Sequence, residues 1–581
     1  MFVAFNARID LQFEFLQKQW VNRGEFVGQA GNRKDPIIGA NAGAVADQFI
    51  IPGHPAPVFN LPRFVAVRGG DYFFAPGITA LLELGRDDVD CGAADQPPRF
   101  ASPQRQPNHG ISKSPELFDA GKLREIGQEL LQRQSAPTIA IKQVPLINYP
   151  GAPLRSQSIA IVAKRRHVER VLGDDCVYQI TPYARRIEKI SGKRMIIGMR
   201  SDDPERIKRL ELLHAVVKKI SVNRVSTLVG GLTEQVIDGV RQQGKFDVVK
   251  DLGRVVPISL AAECFGIAGP NWVSPTAIAA KFGKRDIGDV PRNWLRTLDP
   301  IHESEKSLAT MQFWGRFAFL EIFESIQSAA ELTELAERST AELLQHIDDV
   351  VADADALRAI QVGDGGGDRD NPEPAVTWLD HLLDLSREPG SFGLSRSEFL
   401  EHTRLLLAEM VVGGVETVNK GLANVVDFLL DHRPVLALLK KAAAAGADDS
   451  VDAIIREILR FEPVSPALFR SCTIADEIEP GEWIKEGTIV GMLLQVAGFE
   501  PQPRQKSPLE FDPKRPKESY LQFGGGGAHF CGGAELAEVQ LREILKRVVQ
   551  LPNLRRASGP SGEKREFLKL ADSLCIRFDP Y

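Results

Sequence analysis

"FGGGGAHFCGGAELAEVQ", residues 523–540, sets a single cysteine between two groups of glycines. Apolar residues at helical spacing begin directly after the second group. Glycine loses more conformational freedom on folding than any other residue, so a run of four requires a local reason. A phosphate-binding P-loop does not supply one, because no Lys-Ser/Thr pair follows the glycines. A tight turn that approaches a flat ligand closely fits the missing side chains.

Cys531 stands just before the predicted helix, near backbone N–H groups and the positive end of the helix dipole. We therefore expect a lowered thiol pKa and a stabilised thiolate. A thiolate on a glycine-lined turn is suited to the proximal face of an iron porphyrin. The alternative is a buried, inert free cysteine. Without CxxC or zinc spacing, the remaining cysteines are interpreted as reduced thiols: Cys91, Cys176, Cys264, Cys472 and Cys575.

The composition is that of an ordinary globular protein, with 581 residues, 43% hydrophobic residues, 25% charged residues and a formal net charge of −6. The length favours two domains, or one large and one small. Mild acidity gives no reason to expect a nucleic-acid partner. "MFVAFNARID" lacks a signal-peptide pattern, and "TIVGMLLQVAGF" is too short to cross a bilayer. We expect a cytoplasmic protein without a membrane span.

The chain is predicted to have three parts. Residues 1–90 alternate strand-like and helix-like stretches and form a small α+β unit. Residues 91–114 are rich in Pro, Gln and Ser, which predicts a linker. Residues 115–581 are mostly helical by pattern, including one continuous stretch over 311–360. Short β-like pieces such as "SIAIVAKR", "GTIVGMLL" and "SLCIRFD" interrupt the helices, and "VGDGGGDRDNPEPAV" is predicted to be an exposed loop.

A long predicted helix, "LLLAEMVVGGVETVNKGLANVVDFLLDH", residues 405–432, carries two adjacent glycines and an acid–alcohol pair. Each glycine costs a helix about 1 kcal/mol, so the pair implies a local need. A widened helical turn at Gly413 and Gly414, leaving room for a small ligand, would meet it. The alternative is a core helix in which Thr417 bonds back to a carbonyl of its own helix.

Two charged patterns lie between this helix and the cysteine segment. Glu457 and Arg460 form an ExxR pair, whereas the same spacing at 83–86 and 401–404 is interpreted as ordinary surface pairing. Arg470 lies in "PALFRS", an apolar strand-like stretch bounded by proline. A buried arginine requires an anionic partner.

In their order along the chain, these segments resemble the cytochromes P-450, the haem-thiolate monooxygenases. The haem-loop pattern of that family is matched by Phe523, Gly524, Gly525, Gly527, His529, Cys531 and Gly533. The aromatic residue stands one position further from the cysteine than in many members, and Glu538 stands where arginine is frequent. The resemblance covers roughly residues 115–581. It implies a mainly α cytochrome P-450 fold with small β-sheets, a haem b cofactor (iron protoporphyrin IX) and Cys531 as axial ligand of the iron.

The resemblance also implies roles for other residues. Glu416 and Thr417 would deliver protons, and Glu457 and Arg460 would lock the fold together with Arg515 of "FDPKRP". The remaining expected roles concern the haem: Phe523, Gly525 and Gly533 in its loop, and Arg470, His529 and Arg209 (alternatively Arg206) toward its propionates.

The implied activity is insertion of one atom of dioxygen into an apolar organic substrate. The chain has no flavin or nicotinamide fingerprint, so we expect electrons from a separate partner, a ferredoxin with its reductase or a similar donor. Val412, Val464, Ala467 and Leu468 are expected to line the substrate pocket. Two alternatives remain: a peroxide-dependent peroxygenase or hydroperoxide isomerase, and a non-catalytic haem sensor or carrier.

The N-terminal unit resembles a different family. "FVAFNARIDLQFEFLQKQWVN", "KDPIIG" and "FVAVRGGDYFFAPGITAL" are similar to the C-terminal part of dye-decolourising peroxidases, which have a ferredoxin-like α+β fold. The catalytic groups of that family belong upstream of this stretch, so a non-catalytic fragment is expected. A misassigned start and a decayed gene fusion both explain it.

Overall fold

The computed structural model describes residues 139–145, 156–267, 303–324, 330–361 and 377–581, except for positions 218, 220, 389, 504, 568 and 569. All of them belong to the compact unit Arg105–Tyr581. The predicted N-terminal α+β unit, the linker at 91–114 and the loop at 362–376 lie outside the described residues.

Helices dominate the described residues. In chain order they are α1 (Arg165–Gly173), α2 (Thr181–Ser191), α3 (Pro204–Val217), α4 (Val222–Val240), α5 (Val255–Leu260), α6 (Glu303–Phe319), α7 (Ala330–Gln361), α8 (Trp378–Arg387), α9 (Arg396–Asp431), α10 (Arg433–Ala444), α11 (Asp448–Phe461), α12 (Leu494–Ala497) and α13 (Ala534–Val548). Wider π-helical turns occupy Val248–Gly253, Ala261–Phe265 and Leu320–Glu324.

The strands are short and form small sheets. They are β1 (Ile139–Pro145), β2 (Ser156–Val162), β3 (Tyr178–Gln179), β4 (Lys245–Asp247), β5 (Leu468–Cys472), β6 (Asp476–Glu479), β7 (Glu482–Ile484), β8 (Ile489–Met492), β9 (Arg555–Arg556), β10 (Arg565–Phe567), β11 (Leu570–Ser573) and β12 (Cys575–Arg577). The largest sheet has the order β1-β2-β8-β5-β3. In it β2 pairs with β8 in parallel, with Ile159 opposite Ile489, and the other neighbours are antiparallel.

These elements confirm the prediction of a mainly α protein with small sheets. The predicted β-like pieces are β2, β8 and β12. The stretch with a helical pattern over 311–360 contains part of α6, the π-helical turn Leu320–Glu324 and part of α7, and its residues 325–329 lie outside the described residues. Apolar periodicity alone does not distinguish an α-helical turn from a π-helical one. None of the helices in the described ranges combines the length and apolar character needed to cross a bilayer.

Helix α9 runs through the helical core. Ser395 accepts a hydrogen bond from the backbone of Glu398, whose side chain bonds back, so a capping box starts the helix. The helix has 36 residues and is buried along most of its length, packing against α6, α7, α8, α11 and α13. Its sides therefore contact most of the core, and a glycine in its interior that is not covered marks a local opening.

A network of buried charges joins α11 to the chain that leads to the cysteine. The Glu457 carboxylate is fully buried and lies 2.7 Å from Nη2 of Arg460. It also accepts hydrogen bonds from Nε of Arg515 at 3.3 Å, from the hydroxyl of Tyr520 at 3.0 Å and from the backbone of Asp512 at 2.9 Å. The structure thus brings together the three residues predicted to act as a lock.

We expect Glu457→Gln to destabilise the protein by about 3 kcal/mol or more, because it leaves two buried arginines facing a neutral amide. The matched control is Glu401→Gln in the other ExxR pair, where Glu401 and Arg404 are partly exposed. That change should cost less than about 1 kcal/mol. Chemical unfolding followed by the helical circular-dichroism signal measures both. Equal losses in the two variants would contradict a structural role for this network.

Candidate functional site

The cysteine loop folds through left-handed backbone conformations. Phe523, Gly524, Gly525 and Gly526 have φ values of 59°, 91°, 59° and 76°. Glycine adopts such angles without strain, whereas a phenylalanine does so rarely. The backbone N–H of Cys531 donates to the carbonyl of Phe523 at 2.8 Å and closes the loop. The glycine run is therefore required by the turn that presents the sulfur.

The Cys531 thiol has an exposed surface although protein surrounds it densely. Burial raises its pKa above the ordinary value, and a hydrogen bond from the backbone of Gly533 opposes the shift only in part. The expectation of a lowered pKa is therefore wrong for the protein alone, because desolvation outweighs the amide near the start of α13. A bound metal cation would reverse this balance, since a coordinating thiol is deprotonated outright.

A second open surface lies in the middle of α9. Gly413 is exposed although the helix around it is buried, and a Cβ placed on Gly413 or Gly414 would meet nothing within 4 Å. The helix remains α-helical here, so the expected widened turn is absent from this stretch. The Thr417 hydroxyl donates to the carbonyl of Gly413 at 2.6 Å, which is the back-bonding alternative considered above.

Glu416 points into a buried charged cluster. Its carboxylate lies 3.2 Å from Nη1 of Arg316 on α6, and both side chains are buried. Nδ2 of Asn419 lies 3.5 Å away. Nη2 of Arg316 lies 3.9 Å from Asp572, which is partly exposed and also bonds to Arg254 at 3.0 Å. Although Glu416 and Thr417 are adjacent, Glu416 is an ion-pair partner and Thr417 lies on the same helical face as Gly413.

Two predicted anion-binding residues lie near one carboxylate. Arg470 is buried in β5, and its Nη1 donates to the carbonyl of Phe469 at 2.8 Å. Burial lowers its pKa, and the nearby Tyr183 and Asp175 oppose that shift. Nε2 of His529 lies 3.1 Å from Oδ1 of Asp175. Burial opposes ionisation of Asp175, but hydrogen bonds from His529 and Ser201 outweigh it and hold the pKa of Asp175 well below its ordinary value.

The two arginine candidates on α3 have different surroundings. Nη2 of Arg206 donates at 2.8 Å to the carbonyl of Ala528 in the cysteine loop, and its buried Nε has no hydrogen-bond partner. Arg209 instead donates to the carbonyl of Arg194 at 2.5 Å and pairs with Glu205. The structure thus places Arg206, the alternative candidate, against the loop, whereas the bonds of Arg209, the preferred one, are to residues outside the loop.

These residues fit a haem. An open thiol precedes a helix, Arg206 bonds to the cysteine loop, and the buried Arg470 lies near His529 of that loop. The surplus of positive charge and the uncommitted Nε of Arg206 suit the propionates of such a group. Cys531 would ligate the iron, and Arg206, Arg470 and His529 would hold the propionates.

Three residues of the site escaped the sequence analysis. Arg316 was detectable, since a lone arginine within "MQFWGRFAFLEIF" requires an anion for the same reason as Arg470. Asp175 gives no such signal, because an aspartate in "LGDDC" is typical of a turn. Glu409 precedes the glycine pair on α9 and is almost buried, yet a glutamate in a helix is unremarkable by pattern.

Comparison with known proteins finds similarity to cytochromes P450. Residues 375–555 match the family model for cytochrome P450. A cytochrome P450 of the 135B1 type from Mycobacterium bovis is 27% identical over 55% of this chain and 65% of its own length. The steroid C26-monooxygenase of Mycobacterium tuberculosis is 24% identical over 66% of this chain and 86% of its own length. The crystal structure of CalO2 has a TM-score of 0.56 at 18% identity, covering 80% of this chain and 98% of that one. The chain is similar to cytochromes P450 over residues 375–555 by the family model and, in the two relatives named here, over more than half of its length.

A separate similarity involves a peroxidase. The dye-decolorizing peroxidase of Exidia glandulosa is 39% identical over 85 residues, which are 14% of this chain and 17% of that protein. The length of the match is that of the N-terminal segment for which the resemblance is predicted. The similarity is short and concerns a small part of the peroxidase.

We expect Arg206→Gln to release haem about tenfold faster or more, because a charge-assisted hydrogen bond contributes about 1.5–3 kcal/mol. The measurement is haem transfer to excess apomyoglobin, followed by absorbance. Arg209→Gln should affect the rate less, and the exposed Arg200→Gln serves as a control for loss of charge. Faster release from the Arg209 variant than from the Arg206 variant would reverse the assignment.

Proposed function

We propose that the protein is a haem-thiolate monooxygenase that uses dioxygen and electrons from a separate donor to oxidise an apolar substrate. The observation that carries the proposal is the Cys531 loop, where left-handed glycines present an open thiol ahead of α13. Similarity to the cytochrome P450 family supports it. A haem with a thiolate ligand supplies the electron push that favours O–O cleavage.

The residues of the chain would hold and orient the cofactor, which we infer to be haem b. Cys531 provides the sulfur, and Gly525 and Gly533 allow the loop backbone to lie close to a flat ring. Arg470 and Arg206 offer buried guanidinium groups to carboxylates, and His529 is a third donor held by Asp175. Burial lowers the pKa of both arginines, so added propionates would stabilise their charged forms.

Proton delivery would depend on the acid–alcohol pair. Thr417 carries a hydroxyl on the open face of α9, and its oxygen keeps acceptor capacity while its proton bonds to Gly413. Glu416 is held by Arg316, whose second contact, Asp572, is partly exposed. Movement of Arg316 from Glu416 toward Asp572 would free the Glu416 carboxylate to exchange a proton. We propose that protons reach the site along this side of α9.

The substrate is proposed to be apolar, and the name of the mycobacterial relative, a steroid C26-monooxygenase, supports a bulky hydrocarbon. Met410 and Val412 flank the open stretch of α9, which agrees with an apolar lining. Val464, by contrast, packs against Gly421 further along α9. Its Cγ2 lies 3.4 Å from the place that a Cβ added to Gly421 would take. The electron donor would be a ferredoxin with its reductase, because the chain contains no flavin or nicotinamide fingerprint.

A peroxide-dependent peroxygenase or isomerase is the second candidate. It is favoured by one observation: the Thr417 hydroxyl is bonded to its own helix and Glu416 is locked in an ion pair, so neither is free in this arrangement. An enzyme that receives oxygen already reduced to peroxide does not depend on this pair. Turnover of an apolar substrate with a surrogate ferredoxin pair, compared with turnover with hydrogen peroxide, separates the two candidates.

Cys531→Ala should abolish the red-shifted Soret band of the reduced carbonyl complex, because the band requires a thiolate ligand. Changing Cys472, which is buried in β5, or the exposed Cys176 to alanine should leave the band unchanged. The measurement is a reduced carbonyl difference spectrum of each full-length protein. Persistence of the band without Cys531 would show that another residue binds the iron.

Thr417→Ala should keep haem binding but divert electrons into hydrogen peroxide, since proton transfer by a positioned group contributes roughly 10²–10⁴-fold. Thr403→Ala is the matched control, because Thr403 makes the same back-bond to Phe399 on α9 in a buried position. The measurement is peroxide formed per electron pair consumed. Unchanged coupling after the Thr417 substitution, in a protein that uses the surrogate donor, would exclude the role in proton delivery and favour the peroxide-dependent candidate.

A further inference from the structure

Glu409 is an almost buried carboxyl group at the edge of the open stretch of α9. It precedes Gly413 and Thr417 by four and eight residues, so the three share one face of the helix. Only 13% of its side chain is exposed. The ordinary reading of a buried glutamate is a fixed ion pair, yet its closest arginine nitrogen, Nη1 of Arg209, lies 3.9 Å away.

The main partners of Glu409 are backbone amides. The N–H of Ile196 donates to Oε1 at 2.8 Å, and the N–H of Ile197 is near enough to the carboxylate to help lower its pKa. Both residues lie in a short turn, Ile196–Gly198, within the α2–α3 connection, residues 192–203. Glu409 therefore ties this connection to α9.

The connection spans a side of the site. Its first end leaves α2, which packs on β5, where the backbone of Phe469 donates to the Tyr183 hydroxyl at 3.1 Å. Its other end enters α3, which carries Arg206 against the cysteine loop. An exposed contact, Lys193 to Glu401 at 2.7 Å, is a further tie to α9. The connection thus links elements around the candidate pocket, with Glu409 as its buried anchor.

We propose that Glu409 is a proton-dependent clasp: its carboxylate holds the α2–α3 connection on the open face of α9, and protonation loosens that edge. An ionised carboxylate accepts the Ile196 amide in a charge-assisted bond, which is about twice as strong as a neutral one. In the loosened state the connection withdraws this donor and the attraction of Arg209 while protein still covers the carboxyl group, so the pKa of Glu409 is higher than in the closed state and protonation favours loosening. The hydrogen bonds of the clasp are part of the fold and do not depend on the proposed function. Only its effect on access to iron rests on the proposed function.

The charges around Glu409 allow it to titrate near neutral pH. Burial raises the pKa of Glu409 to about 7, although the amides of Ile196 and Ile197, Arg209 and Arg206 oppose the shift. The arginines remain charged throughout this range. Arg194 of the connection faces Asp203 and Glu205, and Glu205 pairs with Arg209.

One other titratable side chain lies nearby. His402 on α9 has its Nε2 3.9 Å from Glu205, and burial lowers its pKa below the ordinary value. Its protonation therefore falls on the acidic side of the Glu409 transition. A transition near pH 7 at the connection would belong to Glu409 rather than to His402.

Hydrogen exchange of the Ile196 and Ile197 amides in the full-length haem protein tests the clasp. After correction for intrinsic exchange, protection should fall about tenfold between about pH 8.5 and about pH 5.5, with a midpoint near 7. Glu409→Gln should show the low protection at every pH. Glu401→Gln, which removes the exposed tie on the same helix and connection, should keep the wild-type midpoint.

Global stability gives an independent reading of the same group. Because the folded-state pKa of Glu409 lies above its ordinary value, its contribution is full below that ordinary value and is lost as pH rises through about 7. The wild-type unfolding equilibrium should therefore shift toward the unfolded state by about thirtyfold more than that of Glu409→Gln between about pH 5.5 and about pH 8.5. A merely structural hydrogen bond would not produce this difference.

Access to the iron is the third measurement. n-Butyl isocyanide, an uncharged ligand of reduced haem iron, should associate several-fold faster at about pH 6 than at about pH 8.5 in the wild type, and at the fast rate throughout in Glu409→Gln. A protection midpoint that persists in Glu409→Gln, or that is absent from the wild type, overturns the clasp. The wild-type exchange profile decides if the variant does not fold. Failure of the isocyanide arm alone, with the exchange result intact, removes the link to access and leaves the clasp standing.

Discussion

The fully buried carboxylate of Glu457 is the interaction on which the arrangement of the site depends. It collects donors from α11 itself and from residues 512, 515 and 520, which lie on the chain leading to the cysteine loop. Nearby, Gln522 donates to the carbonyl of Arg456 at 2.7 Å. The loop that presents Cys531 is thus attached to a core helix before it reaches its left-handed turn. A buried ion pair gives little net stability, but removing one partner is expensive, so the network favours one conformation over others.

Buried charge also determines the arrangement at the middle of α9. Adjacent residues of an α-helix point about 100° apart, so Glu416 and Thr417 cannot both face one space. Glu416 lies among Arg316, Asn419 and the Asp572 cluster, whereas Thr417 remains on the face of Gly413. Desolvation lowers the pKa of Arg316 and Glu416 opposes that shift. Each buried charge is therefore stabilised by the other. The pair can have two arrangements, with Arg316 bound to Glu416 or moved toward Asp572.

Sequence reasoning succeeded where a residue type conflicted with its surroundings. The glycine run predicted the loop, because only glycine adopts the required φ values freely. Arg470 predicted a buried cation, because its neighbours in the sequence are apolar. Arg316 obeys the same rule and was overlooked. Glu409 and Asp175 were not predictable, because their environments are assembled from remote segments: the turn at residues 196–198 and His529. The raised pKa of the Cys531 thiol was not predicted. The helix dipole can be recognised from neighbouring residues in the sequence, whereas desolvation depends on the folded surroundings.

The parallel pairing of β2 with β8 has a consequence for folding during synthesis on the ribosome. Ile159 pairs with Ile489, so β2, from the first third of the chain, cannot complete its pairing until β8 has been synthesised near the end. At about 5–20 residues per second, a ribosome needs on the order of half a minute to supply the missing strand. During that time the β8-facing edge of β2 offers unpaired backbone groups to any passing chain. The emerging polypeptide is thus vulnerable to aggregation at an edge that β8 covers in the finished protein, and slower translation would lengthen the period in which a chaperone is needed there.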